Sequence, residues 1–154
     1  MSSSPLTVNV AIGVLAEGQA ATAGHAGWRV LIARRLGGAV YAGYWEFPGG
    51  KVEHGESPAE CVVREFREEL GLSVLVGEAL TVFEHVYSHG RVRIHPFFCR
   101  RQAARPGGAL PAPQDLGVSE HRWVTPLDLR DYLFLPANRG LTEQLISILS
   151  QPAA

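Results

Sequence analysis

The stretch GKVEHGESPAECVVREFREELGL, Gly50 to Leu72, decides how this chain folds and what chemistry it can host. Ser57 suits a helix N-cap, Pro58 the first helical position, and Glu60 completes a capping box with Ser57. Ala59, Val62, Val63, Phe66 and Leu70 recur at helical spacing and form one apolar stripe that needs a core to cover it. Gly71 supplies the stop. A helix over Pro58–Leu70 is therefore expected, entered from the turn Pro48-Gly49-Gly50.

On that helix Glu65, Glu68 and Glu69 are spaced i, i+3 and i+4, in a sector nearly opposite the Val62/Phe66/Leu70 stripe. Three carboxylates so close repel one another and weaken the helix unless something positive sits over them. A solvated acidic face is the ordinary reading of such a cluster. Here it follows a Phe-Pro-Gly-Gly-Lys turn that can bring a backbone carbonyl to the same place, and a further carboxylate, Glu56, lies just before the helix. Oxygen ligands without an ordered His or Cys set describe a hard divalent cation, Mg²⁺ or Mn²⁺. Such an ion can neutralise phosphate charge and activate water. The pattern predicts metal-assisted hydrolysis of a phosphoanhydride.

Outward from the helix, Thr7–Leu15 and Trp28–Arg34 read as strands, with Ala16–Gly27 a small-residue loop between them. Trp45-Glu46-Phe47 is a short extended piece. Leu72–Val86 and Arg91–Arg100 read as strands joined at Ser88-His89-Gly90, where His85 and His95 can face each other. Gln102–Val118 is a Pro/Gly/Ala-rich excursion, His121–Val124 a further strand, Thr125-Pro126 the start of a short helix, and Arg139–Leu149 a final amphipathic helix. The three tryptophans, Trp28, Trp45 and Trp123, are expected in the core. A single domain over residues 1–154 is expected, an α/β fold with a mixed sheet covered by helices.

Composition bounds the partners. The chain has 154 residues with a formal net charge of -1, which argues against a general nucleic-acid binder but leaves room for a phosphate-bearing small molecule. Two cysteines, Cys61 and Cys99, cannot build a disulfide framework and read as small buried residues. No apolar run approaches a membrane span, and no secretory signal is visible, so a cytoplasmic protein is expected, as monomer or homodimer.

Gly50, Glu56, Arg64-Glu65-Phe66, Glu68-Glu69 and Gly71-Leu72 fill every fixed position of the Nudix box, with Phe66 a mild variation, so the chain resembles the Nudix hydrolases. That resemblance implies an α/β/α sandwich, metal ligation by Glu65, Glu68, Glu69 and the Gly49 carbonyl, and an Arg64 that holds a catalytic carboxylate in place. Leu31-Ile32-Ala33-Arg34-Arg35, Trp45 to Lys51, and Phe134-Leu135-Pro136-Ala137-Asn138 are further similar to the MutT branch, which converts nucleoside triphosphates to the monophosphate and pyrophosphate. By that resemblance Arg35 and Lys51 would contact the nucleotide, and Asn138 would read the base edge, although Asn138 is also placed to cap the final helix. Phe134 would line the base pocket or pack. A dinucleoside polyphosphate, NADH, a nucleotide sugar, or nucleotide sensing without turnover remain as other Nudix readings. One departure stands out. The branch often supplies another glutamate about six residues before the last-strand tryptophan, and that position here is Gly117, with Asp115 and Glu120 nearest.

Overall fold

A computed structural model describes residues 6–22 and 25–150. The strands are β1 (Thr7–Thr22), β2 (His25–Arg34), β3 (Trp45–Glu46), β4 (Gly49–Lys51), β5 (Val74–Ala79), β6 (Phe83–Tyr87), β7 (Gly90–Arg101) and β8 (Glu120–Val124). The helices are α1 (Pro58–Leu70) and α2 (Arg139–Leu149), with 3-10 helices at Leu127–Asp131 and Pro136–Asn138.

The long strand β1 organises the sheet, whose path runs β3-β2-β1-β7-β5. Its first half lies parallel to β7, from Thr7 opposite Arg91 to Leu15 opposite Cys99. Its second half pairs antiparallel with β2, and β4 pairs antiparallel with Val10–Ile12. Because side chains alternate across a strand, β1 and β2 feed two cores. Ile12, Val14, Val30 and Ile32 pack with Leu141, Leu145 and Leu149 of α2 on one face. Ala11, Leu15, Leu31 and Ala33 pack with Val62, Phe66 and Leu70 of α1 on the other. A mixed sheet with helices on both faces is the α/β/α sandwich expected.

Both helices have the limits read from sequence. Ser57 Oγ accepts from Glu60 N while Glu60 Oε1 accepts from Ser57 N, each at 3.1 Å. Gly71 takes φ 64° and its N–H donates to Arg67 O. Gly13 lets α1 approach β1: a Cβ there would stand 2.8 Å from Val62 Cγ1 and clash with the Phe66 ring.

Four expectations need correction. Ala16–Gly27 is not an irregular loop, since β1 continues to Thr22 and β2 begins at His25; only residues 23 and 24 of it lie outside the described residues. Cross-strand pairing, such as Ala16 with Val30, imposes the extended form on residues of weak β-propensity. Leu72–Val86 divides into β5 and β6, both antiparallel to β7. The Ser88-His89 turn sets a register in which His85 faces Val92, while His95 neighbours Ala11, so the two histidines do not oppose each other. Of the tryptophans only Trp45 is buried; Trp28 is 37% exposed. Trp123 is half-buried, with the Arg29 and Arg101 guanidinium carbons 4.2 and 5.2 Å from its ring centroid. Both cysteines are free and buried, and burial raises each thiol pKa to about 12. Among the described residues no helix is long and apolar enough to cross a membrane.

Candidate active site

The Pro48–Lys51 turn is zipped onto β1. Gly13 N donates to Pro48 O and Val52 N to Asn9 O, both at 2.9 Å. The approach is so close that a Cβ on Gly49 would lie 2.7 Å from Ile12 Cα and run into the Ala11 carbonyl. A Cβ on Gly50 would collide with the Glu65 carboxylate. The two glycines thus let the turn lie between the sheet and the acidic side of α1.

Arg64 organises that side. Its Nε and Nη2 donate to Glu56 at 2.7 and 3.0 Å, its Nη1 to Glu65 at 2.9 Å and Glu68 at 3.2 Å, and its Nη2 to the Lys51 carbonyl at 3.1 Å. Charge-assisted bonds of this kind fix a carboxylate's orientation. The Arg64 guanidinium holds Glu56 at a pKa of about 2, and Arg64 itself is raised in turn by Glu56. Cys61 Sγ lies 3.4 Å from both the Gly50 and Lys51 carbonyls, beneath the turn.

Glu69 is different. Its carboxyl pKa is raised, by burial first and then by the charges on Glu46 and Glu65. Its Oε2 is buried with no hydrogen-bond partner. An orphaned carboxylate oxygen beside two other carboxylates is the local signature of a site that a hard cation would complete. Among the described residues no three such side chains yet converge on one coordination point, and Glu68 is 59% exposed.

A cavity of about 370 Å³ opens beside the turn. Its apolar wall is Val10, Ile12, Val92, Ile94, Leu135 and Ala137; its polar groups include Arg35, Glu46, Lys51 and Asn138, and Tyr41 and Tyr87 stand on its sides. Arg35, Lys51 and Asn138 therefore meet in one place. Phe134 does not line this cavity: it is 2% exposed and stacks on Phe47 at 5.2 Å. Arg35 bonds through Nη1 to Glu46 at 3.0 Å and through Nε to the Val40 carbonyl at 2.9 Å. Asn138 is 5% exposed and makes no side-chain cap to α2. Its Oδ1 instead accepts from Phe47 N at 3.1 Å, which leaves the Nδ2 donor for the cavity.

The carboxylates near Gly117 are engaged elsewhere. Asp115 lies 2.6 Å from His121 Nδ1, and Glu120 faces Arg34 and Arg122 at 3.5 and 3.6 Å. The segment itself caps α1, with Gln114 N donating to Leu70 O and both Leu116 N and Gly117 N to Glu69 O. Sequence reading missed Glu46, Tyr41 and Tyr87. Alternation along Trp45-Glu46 was the available signal for Glu46, since it turns the two side chains to opposite faces of the sheet; no local pattern marks the two tyrosines.

A family model described as "NUDIX domain" matches residues 20–144. The chain is 32% identical over 120 residues to a CTP pyrophosphohydrolase of Escherichia coli, covering 78% of this chain and 84% of that protein. It is 33% identical over 134 residues to a putative 8-oxo-dGTP diphosphatase 2 of Mycobacterium tuberculosis, covering 83% and 86%. A crystal structure of a MutT protein from Methanosarcina mazei superposes with a TM-score of 0.72 over 98% of this chain and 100% of that one, at 20% identity, a likeness of fold.

Proposed function

The chain belongs to the Nudix family as a MutT-like hydrolase of phosphoanhydride bonds, and from that premise we propose that it splits a nucleoside triphosphate into the monophosphate and pyrophosphate, using Mg²⁺ or Mn²⁺. The observation that carries the reading is the adjacency of two unlike surfaces. The acidic side of α1, where Glu69 Oε2 is buried without a partner, adjoins an apolar cavity with a fixed amide in it. The first suits a metal-bound phosphate chain and the second a base.

Glu65, Glu68, Glu69 and the Gly49 carbonyl would hold the cation. When bound, it supplies charge neutralisation at the phosphates and a more acidic water. Glu65 accepts the proton of the water that attacks the β-phosphorus, and Arg64 keeps that carboxylate aimed. Lys51 and Arg35, both on the cavity wall, offset phosphate charge. The base enters between Ile12, Ile94 and Ala137, where Asn138 Nδ2 donates to an acceptor on its edge. The relatives point to 8-oxo-dGTP and CTP as the first substrates to try.

The test is a panel of 8-oxo-dGTP, dGTP, CTP, NADH and a diadenosine polyphosphate with Mg²⁺ and product identification. Monophosphate and pyrophosphate from a triphosphate are expected. Turnover confined to NADH or the dinucleotide would overturn the triphosphate reading while leaving the family untouched.

A further inference from the structure

Glu46 sits where neither helix nor loop reading would look for an active-site acid. It is the second residue of the two-residue strand β3, whose partner across the ladder is Ala33. Trp45 is buried in the α2-side core and Ala33 in the α1-side core. Alternation along β3 therefore sends the Glu46 side chain to the α1 face, the face that carries Glu65 and Glu69. It is 13% exposed and lines the same cavity as Gly49, Gly50 and Lys51.

A carboxylate this deep needs a partner, and Glu46 has half of one. Its Oε2 accepts from Arg35 at 3.0 Å, while among the described residues no hydrogen bond reaches Oε1. Across the gap, Glu69 Oε2 is also without a partner. Arg35 pairs with Glu46 and Arg64 with Glu65, which leaves Glu69 without a basic partner among the described residues. The orphaned Glu69 oxygen, on the face that Glu46 shares, would be satisfied by a cation that both carboxylates reach.

Among the described residues the Gln114–Gly117 side of α1 offers no such group. The Gln114–Gly117 segment is bonded to the last carbonyls of the helix, and a Cβ on Gly117 would stand 3.2 Å from Glu69 Cα, so a long side chain there would be forced against the helix. Asp115 and Glu120 are held by His121, Arg34 and Arg122.

We propose that Glu46 is a further metal-facing carboxylate of this active site, supplying from β3 the oxygen that the Asp115–Glu120 segment does not, and so joining the cation to the Arg35 side of the cavity. The inference rests on the metal-dependent reading above. Through Arg35, which also holds the Val40 carbonyl, the same residue connects the metal side to the loop that bears Tyr41.

The experiment is Mn²⁺ binding to the chelator-stripped full chain, read from the free-ion electron paramagnetic resonance signal without any turnover. The variants are Glu46→Gln, Glu46→Asp, Arg35→Gln and Glu65→Gln, each checked for wild-type circular dichroism. Glu46→Gln is expected to weaken Mn²⁺ about tenfold or more, with Glu46→Asp recovering part of the loss. Arg35→Gln, which removes a positive charge beside the site, should bind Mn²⁺ at least as tightly as wild type. Should Arg35→Gln lose as much as Glu46→Gln, Glu46 acts only by anchoring Arg35 and the inference fails. Wild-type affinity in Glu46→Gln beside weak binding in Glu65→Gln overturns the inference alone. Wild-type affinity in both removes the carboxylate site and the reading it rests on.

Discussion

The Asn138 side-chain oxygen accepts a 3.1 Å hydrogen bond from the backbone N–H of Phe47, so a residue 91 positions away in sequence is held rigidly at the floor of the cavity. The amide is thereby fixed in one orientation, with only its N–H₂ free for a ligand. Asn138→Ala removes that donor and leaves a buried N–H unpaired. Unfolding free energy should fall by about 1–3 kcal/mol in denaturant titration. The KM for the preferred nucleotide should rise by about tenfold, the size of one lost hydrogen bond near the top of its usual range, with kcat little changed. An unaltered KM would remove Asn138 from base recognition.

Arg64 bonds Glu56, Glu65, Glu68 and the Lys51 carbonyl at once, which a planar guanidinium can do and an ammonium cannot. Arg64→Lys should therefore keep the charge and still lose roughly 10- to 100-fold in kcat. Steady-state kinetics on the folded variant measure this. Near-wild-type kcat would mean that charge alone suffices.

Gly13 marks the closest approach of α1 to the sheet. Gly13→Ala pushes a methyl group into Val62 and Phe66, and overpacking of this kind costs about 1–3 kcal/mol. The loss should appear as a lower denaturation midpoint with an unchanged slope.

Glu17 accepts from Arg101 and Arg29, and the Arg101 hydrogen bond above all lowers its pKa from 4.5. A lowered carboxyl binds fewer protons folded than unfolded, so its stabilisation is present above pH 4.5 and disappears as pH falls through the folded value. At neutral pH Glu17→Gln should melt below wild type. The gap should close as the pH is taken below 4.5. A gap that is constant with pH would show that the loss comes from packing and not from the ion pairs.

The Gly50–Leu72 segment was readable because its constraints are local. A capping box, a 3.6-residue stripe and a left-handed glycine all act within a few residues, and α1 has the limits they define. The second half of β1 was not, because Gly18, Gln19 and Ala20 carry little β-propensity and extend only by pairing with β2. Asn138 could be located next to α2 from its Pro-Ala-Asn context. Its use depends on Phe47, a contact that the helix-capping rule does not contain. Glu46 is turned to the α1 face of the sheet by the pairing of β3 with β2, a long-range fact.

The most direct measurement of the central claim is turnover of the preferred triphosphate in H₂¹⁸O with Mg²⁺, followed by mass analysis of both products. Attack at the β-phosphorus by water whose proton goes to Glu65 predicts one ¹⁸O in pyrophosphate and none in the monophosphate, with Glu65→Gln nearly inactive. Label in the monophosphate, release of orthophosphate with a nucleoside diphosphate, or a Glu65→Gln variant as fast as wild type would contradict the account.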